Sequence, residues 1–156
     1  MKETTCCFTG HRNLPEGERT RIEARLESAI AGFVQRGYRT FCAGGALGFD
    51  TLAAQTVLRL KGMYPQIKLS LFLPCKDQTH RWCEEDCAVY DAILAQADEV
   101  QYVSEHYFSG CMQARNRALV DASSVCICYL TQESGGTAYT IKYAQRKGLE
   151  IINVKG

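Results

Sequence analysis

Apolar positions along the chain follow two alternating rhythms. Short β-prone runs at 5–8, 38–42, 67–74, 99–103, 125–130 and 150–154 each read as a strand, and the almost unbroken apolar run Val125-Cys126-Ile127-Cys128-Tyr129-Leu130 suits one buried on both faces. Between the strands the spacing turns helical. Ile22, Leu26, Ile30 and Phe33 recur up to Gly37, with Pro15 in the first turn, and Leu52, Ala53, Thr56, Val57 and Leu60 recur up to Gly62. Cys83, Cys87, Tyr90 and Leu94 mark a third stripe, and a fourth helix is expected over 111–122. A last helix carries Lys142, Arg146 and Lys147 toward its C-terminal end, where cations complement the dipole.

Strict alternation of strand and helix predicts an α/β protein: a Rossmann-like three-layer fold with a mainly parallel sheet and helices on both faces. The expected strand order is near 3-2-1-4-5 plus an extra strand, so that loops leaving several strands gather at one end. No linker or repeat interrupts the pattern, and residues 1–156 read as one domain.

Charge narrows the chemistry. Eighteen basic residues against 17 acidic ones give a formal charge of +1, which counts against duplex DNA as a partner and requires any phosphate binding to be local. Neither an apolar leader nor a membrane-length segment is legible, so a cytoplasmic location and no membrane partner are expected. The nine cysteines read as reduced, small core residues. Cys83 and Cys87, one helical turn apart, with Cys126 and Cys128 on one strand face would supply four sulfurs for zinc, but no Cys-x-x-Cys knuckle is present and no metal is expected.

Three loops precede helices: Thr9-Gly10-His11-Arg12, Gly44-Gly45-Ala46-Leu47-Gly48 and Ser134-Gly135-Gly136-Thr137. Glycine lets backbone N–H groups approach an anion, and a helix N-terminus adds unpaired donors and a favourable dipole. Strand-to-helix turns are also glycine-rich for steric reasons alone. The dinucleotide fingerprint is missing, because the first strand ends in one glycine and the second ends in Cys42-Ala43-Gly44. A Walker loop is missing too, since Gly44 to Thr51 holds no Lys followed by Ser or Thr.

Ala43-Gly44-Gly45-Ala46-Leu47-Gly48-Phe49-Asp50 followed by Ala53 resembles the glycine-rich signature of DprA (Smf), while Met112-Gln113-Ala114-Arg115-Asn116 and Ser134-Gly135-Gly136-Thr137 resemble motifs of the LOG phosphoribohydrolases. Both belong to the SLOG superfamily. Within it, the Thr9-Gly10-His11-Arg12 start looks most like the YpsA-type branch, bacterial proteins without an established biochemical activity. The resemblance covers nearly the whole chain. It implies a Rossmann-like domain that binds a nucleotide or nucleotide-derived ligand such as AMP, ADP-ribose or an NAD-like molecule, as a sensor or carrier, and it implies a homodimer. LOG enzymes have a proline before the double glycine and a glutamate shortly after the threonine. Here Ser134 stands before it, with Thr140 or Lys142 at the two glutamate positions.

The candidate ligand-binding set is Gly10, His11, Arg12, Gly44, Gly45, Gly48, Asp50, Arg115, Ser134, Gly135, Gly136 and Thr137, with no established cofactor beyond a bound nucleotide. Phosphates are expected on the Gly44-Gly45 and Gly135-Gly136 loops, with Arg12 and Arg115 as charge partners and the base toward the sheet's edge. Arg115 matches the LOG arginine; its alternative is an exposed helix charge. His11 is either a ligand contact or a turn histidine, Asp50 a ligand contact or a helix-start aspartate. Trp82, with His80 and Arg81, covers a base or caps the core. Two other functions stay open. One is a LOG-type N-glycoside hydrolase using Asp50 or Glu133, with Arg115, in place of the missing carboxylate. The other is a DprA-like module for single-stranded DNA.

Overall fold

The computed structural model describes residues 1–155. Strands β1 (Thr5–Gly10), β2 (Thr40–Ala43), β3 (Lys68–Leu73), β4 (Glu99–Tyr102), β5 (Val125–Tyr129) and β6 (Glu150–Asn153) alternate with helices α1 (Arg19–Gln35), α2 (Phe49–Lys61), α3 (Glu84–Gln96), α4 (Cys111–Asp121) and α5 (Gly136–Arg146). All neighbouring strands pair in parallel, in the order β4-β3-β2-β1-β5-β6. This is the α/β, Rossmann-like architecture expected from the alternation.

The order sharpens the expectation at one point. The run 3-2-1 is present with two strands beyond β1, but those two are β5 and β6, and the extra strand is β4, on the outer edge of β3. Side-chain chemistry explains the exchange. Glu99-Val100-Gln101-Tyr102 is half polar and exposed along its length, as an edge permits, whereas β5 is apolar throughout and buried. A strand of the second kind belongs beside β1.

Alternation along each strand divides the core between the faces. Phe8, Phe41, Leu71 and Ile127 point to the side covered by α1, α2 and α3, where they meet Ile22, Leu26, Leu52, Val57 and Ile93. Cys7, Cys42, Cys126 and Cys128 point to the other side, under Leu119 and Val120 of α4 and Ile141 and Ala144 of α5. Seven of the nine cysteines are buried as free thiols. Cys126 and Cys128 therefore lie on the face away from α3, and the four cysteines that would supply sulfurs for zinc do not come together.

Two helix expectations shift. Helix α1 begins at Arg19 rather than at Pro15, which sits in a turn closed by the Glu18 N–H donating to its carbonyl at 3.1 Å. On α3 the inward residues are Tyr90, Ile93 and Leu94; Cys83 precedes the first turn and is exposed, and Cys87 is half-buried. No helix among the described residues is long and apolar enough to cross a membrane.

Candidate functional site

The loop after β1 leads to one face of the sheet and the loop after β5 to the other, while the two strands are direct neighbours with Gly10 opposite Tyr129. Loops that diverge from adjacent parallel strands leave a crevice at their C-terminal ends. A recess of about 260 Å³ lies there, lined by the β1 loop, by Ala46 and Asp50 at the start of α2, by Met112, Arg115 and Asn116 on α4, and by the start of α5.

Of the candidate set, Gly10, His11, Arg12, Asp50, Arg115, Ser134, Gly135, Gly136 and Thr137 line this recess. Gly44, Gly45 and Gly48 do not. Gly44 is buried behind the wall, and a Cβ on it would lie 2.6 Å from Arg115 Nη1 and 2.8 Å from Asp50 Oδ2. Gly45 packs on Leu73, and Gly48 packs on the backbone of Arg12. The glycines of the β2 loop thus serve close packing, of Gly44 on a side chain of α4, of Gly45 on one of β3 and of Gly48 on the β1 loop. Glu133 lies outside the recess, in a separate depression with Lys142 and Gln145.

The β5 loop is built differently. No side chain caps the start of α5, and a Cβ on Gly135 or Gly136 would meet nothing within 4 Å among the described residues. Gly135 has φ +102°, which favours glycine by conformation; no such constraint applies at Gly136. The first N–H groups of an α-helix have no intrahelical acceptor, so this end offers donors and a positive dipole to the recess.

Arg115 is only 4 % exposed, so it is not an exposed helix charge. Its Nη1 donates to the Gly44 carbonyl and its Nε to Asn116 Oδ1 at 2.8 Å, which ties α4 to the β2 loop. Asp50 Oδ2 accepts the Ala46 N–H at 3.3 Å. Burial pushes the Asp50 carboxyl up against the opposing pull of Arg115, and burial pushes the Arg115 guanidinium down against the opposing pull of Asp50. The two charges offset each other inside the wall.

His11 Nε2 accepts the Thr131 N–H at 3.0 Å, and the ring stands edge-on to Tyr129 with centroids 5.8 Å apart. Partial burial lowers its pKa. A ring that accepts at Nε2 is neutral and carries its proton on Nδ1, so His11 latches the β1 loop to the β5 loop in its uncharged form.

Thr9, Ala46, Met112, Asn116 and Gln132 also line the recess, the first four from within the motifs quoted above though outside the candidate set, and Gln132 from outside both. Met112 had a readable signal, since it lies three positions before Arg115 and shares its helix face. Gln132 had none beyond its place in a loop. No group of His, Cys, Asp or Glu among the described residues is arranged to hold a metal ion.

An all-parallel sheet with a glycine-lined recess at its switch point defines a Rossmann-like domain. Residues 7–152 match the YpsA model, described as the YspA SLOG family, and the chain belongs to that family. It is 29% identical over 135 residues to UPF0398 proteins of Bacillus thuringiensis (strain Al Hakam) and Bacillus cereus (strain AH187), covering 85% of this chain and 73% of each relative. Among solved structures, DNA processing protein A from Streptococcus pneumoniae superposes with a TM-score of 0.69 at 17% identity, over 96% of this chain and 50% of that one. The Helicobacter pylori protein of the same name, whose structure concerns its single-stranded DNA binding mode, gives 0.69 at 19% identity, over 96% and 64%. TM1055 gives 0.64 at 16% identity, over 98% and 75%. This chain therefore spans half to about two thirds of the two DNA processing proteins.

Proposed function

We propose that the recess holds the phosphate of a nucleotide or nucleotide-derived ligand, such as AMP, ADP-ribose or an NAD-like molecule, and that the protein acts as a sensor or carrier of it. The observation that carries this reading is the uncapped start of α5, open at Gly135, Gly136 and Thr137, facing the buried guanidinium of Arg115 across the same recess. Helix donors, a dipole and a guanidinium converge there, the chemistry that suits a phosphate. Arg12, exposed at the rim, adds a second cation.

A thermal-shift panel of AMP, ADP-ribose, NAD and cyclic nucleotides tests the proposal. A ligand present at about 100 times its dissociation constant stabilises by about 2.7 kcal/mol, roughly 5–10 °C for a chain of this size. One of these compounds is expected to produce such a shift, while adenosine, without phosphate, is expected to give none. A panel in which every compound leaves the melting temperature unchanged would contradict the reading.

One observation favours a second reading. Asp50 is a buried carboxyl lining the recess with its pKa raised, which suits an acid or base acting on an N-glycosidic bond. Chromatography of the same mixtures separates the two: free base accumulates under hydrolysis and is absent under binding alone. Single-stranded DNA shares the phosphate chemistry, and salt-dependent binding of an oligonucleotide would favour that partner instead.

A further inference from the structure

We propose that a second depression, beside the recess, takes the aromatic base of the nucleotide, with Trp82 as its stacking platform; this rests on the phosphate reading above. At about 260 Å³ the recess is smaller than the roughly 300–1,000 Å³ of pockets that enclose a whole ligand. It fits a phosphate with its sugar, and the remainder of a nucleotide must leave it.

Four depressions share a lining residue with the recess, and two of them, one around Glu133 and Lys142 and one around Asn13 and Leu47, are lined by no aromatic residue. Of the other two, one, bounded by Arg12 and Thr131, offers the rings of His11 and Tyr129, but His11 is held by the Thr131 N–H and edge-on to Tyr129, and Tyr129 is 6 % exposed and packed against Phe49. The other is a depression of about 460 Å³ beyond the end of β3, and Met112 lines both it and the recess. Trp82, Tyr107 and Asp77 line its far side. The aromatic surface is on this side.

The platform is braced. Tyr90 meets the Trp82 ring edge-on, with centroids 5.4 Å apart at 89°, and Tyr90 in turn donates to Gln78 Oε1 at 3.5 Å. Gln78 Nε2 donates to the Gly45 carbonyl at 3.4 Å, so the platform is tied to the loop that Arg115 also holds. Tyr107 remains 63 % exposed, and Asp77 lines the same depression. An aromatic side chain left this open beside a braced indole offers a base two π surfaces, and the Asp77 carboxylate beside them suits an exocyclic amine.

Trp82 is the only tryptophan in the chain, so fluorescence excited at the red edge, where the eight tyrosines do not absorb, reports on this depression. AMP and ribose 5-phosphate, followed by calorimetry and fluorescence, separate its two parts. Both are expected to bind the wild-type chain, AMP more tightly, and only AMP is expected to quench the indole. Trp82→Ala is expected to weaken AMP by about tenfold or more and to leave ribose 5-phosphate unchanged. Tyr107→Ala, at an exposed side chain, is expected to weaken AMP in the same selective way. If Trp82→Ala weakened both ligands equally, or left AMP unaffected, the base subsite would be wrong. Ribose 5-phosphate binding as tightly as AMP would overturn the base subsite alone, as would binding of neither while another compound of the panel still shifts the melting temperature; binding of neither and no shift from any of them would overturn the phosphate reading and the subsite with it.

Discussion

Replacing Arg115 with alanine is expected to lower stability by about 1–3 kcal/mol, the cost of leaving buried polar groups without their partner, and to abolish binding of phosphate-bearing ligands. The guanidinium is buried, holds the Gly44 carbonyl and offsets the Asp50 carboxylate, so its loss leaves a buried anion and an unanchored loop. Chemical denaturation measures the first effect and calorimetry with AMP the second. The double variant Arg115→Ala/Asp50→Asn removes the orphaned charge and is expected to regain part of the stability while regaining no affinity. The pH dependence has a definite sign. Burial raises the folded-state pKa of Asp50, and in Arg115→Ala the opposing cation is gone, so the folded state binds the proton more readily than the unfolded one. The stability deficit of the single variant should therefore shrink on going from about pH 8 to about pH 5. A deficit that stayed constant over that span, or grew, would show that Asp50 is not the group left exposed to the loss.

Gly48→Ala is expected to cost roughly 2–5 kcal/mol, from a left-handed backbone forced on alanine together with overpacking. Gly48 sits at φ +77°, and its added Cβ would overlap the carbonyl of Arg12. Backbone has no rotamer by which to yield, so the β1 and β2 loops must separate. The Phe49 N–H, which donates to the His11 carbonyl at 3.1 Å, would be drawn away with the β2 loop, and His11 and Arg12 would leave the rim. Binding should fall alongside stability. Gly135→Ala is the control, since it also places alanine at a positive φ, +102°, but without any overlap. Melting curves in which the two variants behave alike would show that loop packing is not what Gly48 provides.

Much of this was legible in the residues. Alternating periodicities fixed an α/β fold with the three glycine-bearing loops at one end of a parallel sheet, and the motif around Arg115 pointed to the residue at the centre of the recess. The placement of β4 was harder, because two short strands separated by a helix can be laid on either side of β3–β2–β1. Only the contrast between a half-polar strand and a fully apolar one distinguishes the edge from the interior. The glycines were ambiguous for another reason. A glycine that admits an anion and one that admits another loop are the same residue in the chain. What fills the space at Gly44 is a side chain 71 residues away, and what fills it at Gly48 is the backbone of the preceding loop. Glu133 adjoins Ser134 in sequence yet faces a different depression, a distinction that loop geometry makes and spacing does not.

Gly136 provides the sharpest measurement, because neither conformation nor packing within the described residues requires glycine there. Alanine at that helix position should stabilise the chain by about 0.5–1 kcal/mol, while its methyl group intrudes on the space where a phosphate would meet the first turn of α5. Calorimetric titration of AMP into the wild-type chain and into Gly136→Ala, paired with their melting curves, is the direct test. Saturable binding to the wild-type chain, weakened by about tenfold or more in a variant that melts no lower, is the result expected for a phosphate held at this helix start. Equal affinity in the two chains, or no saturable binding to the wild-type chain, would contradict it.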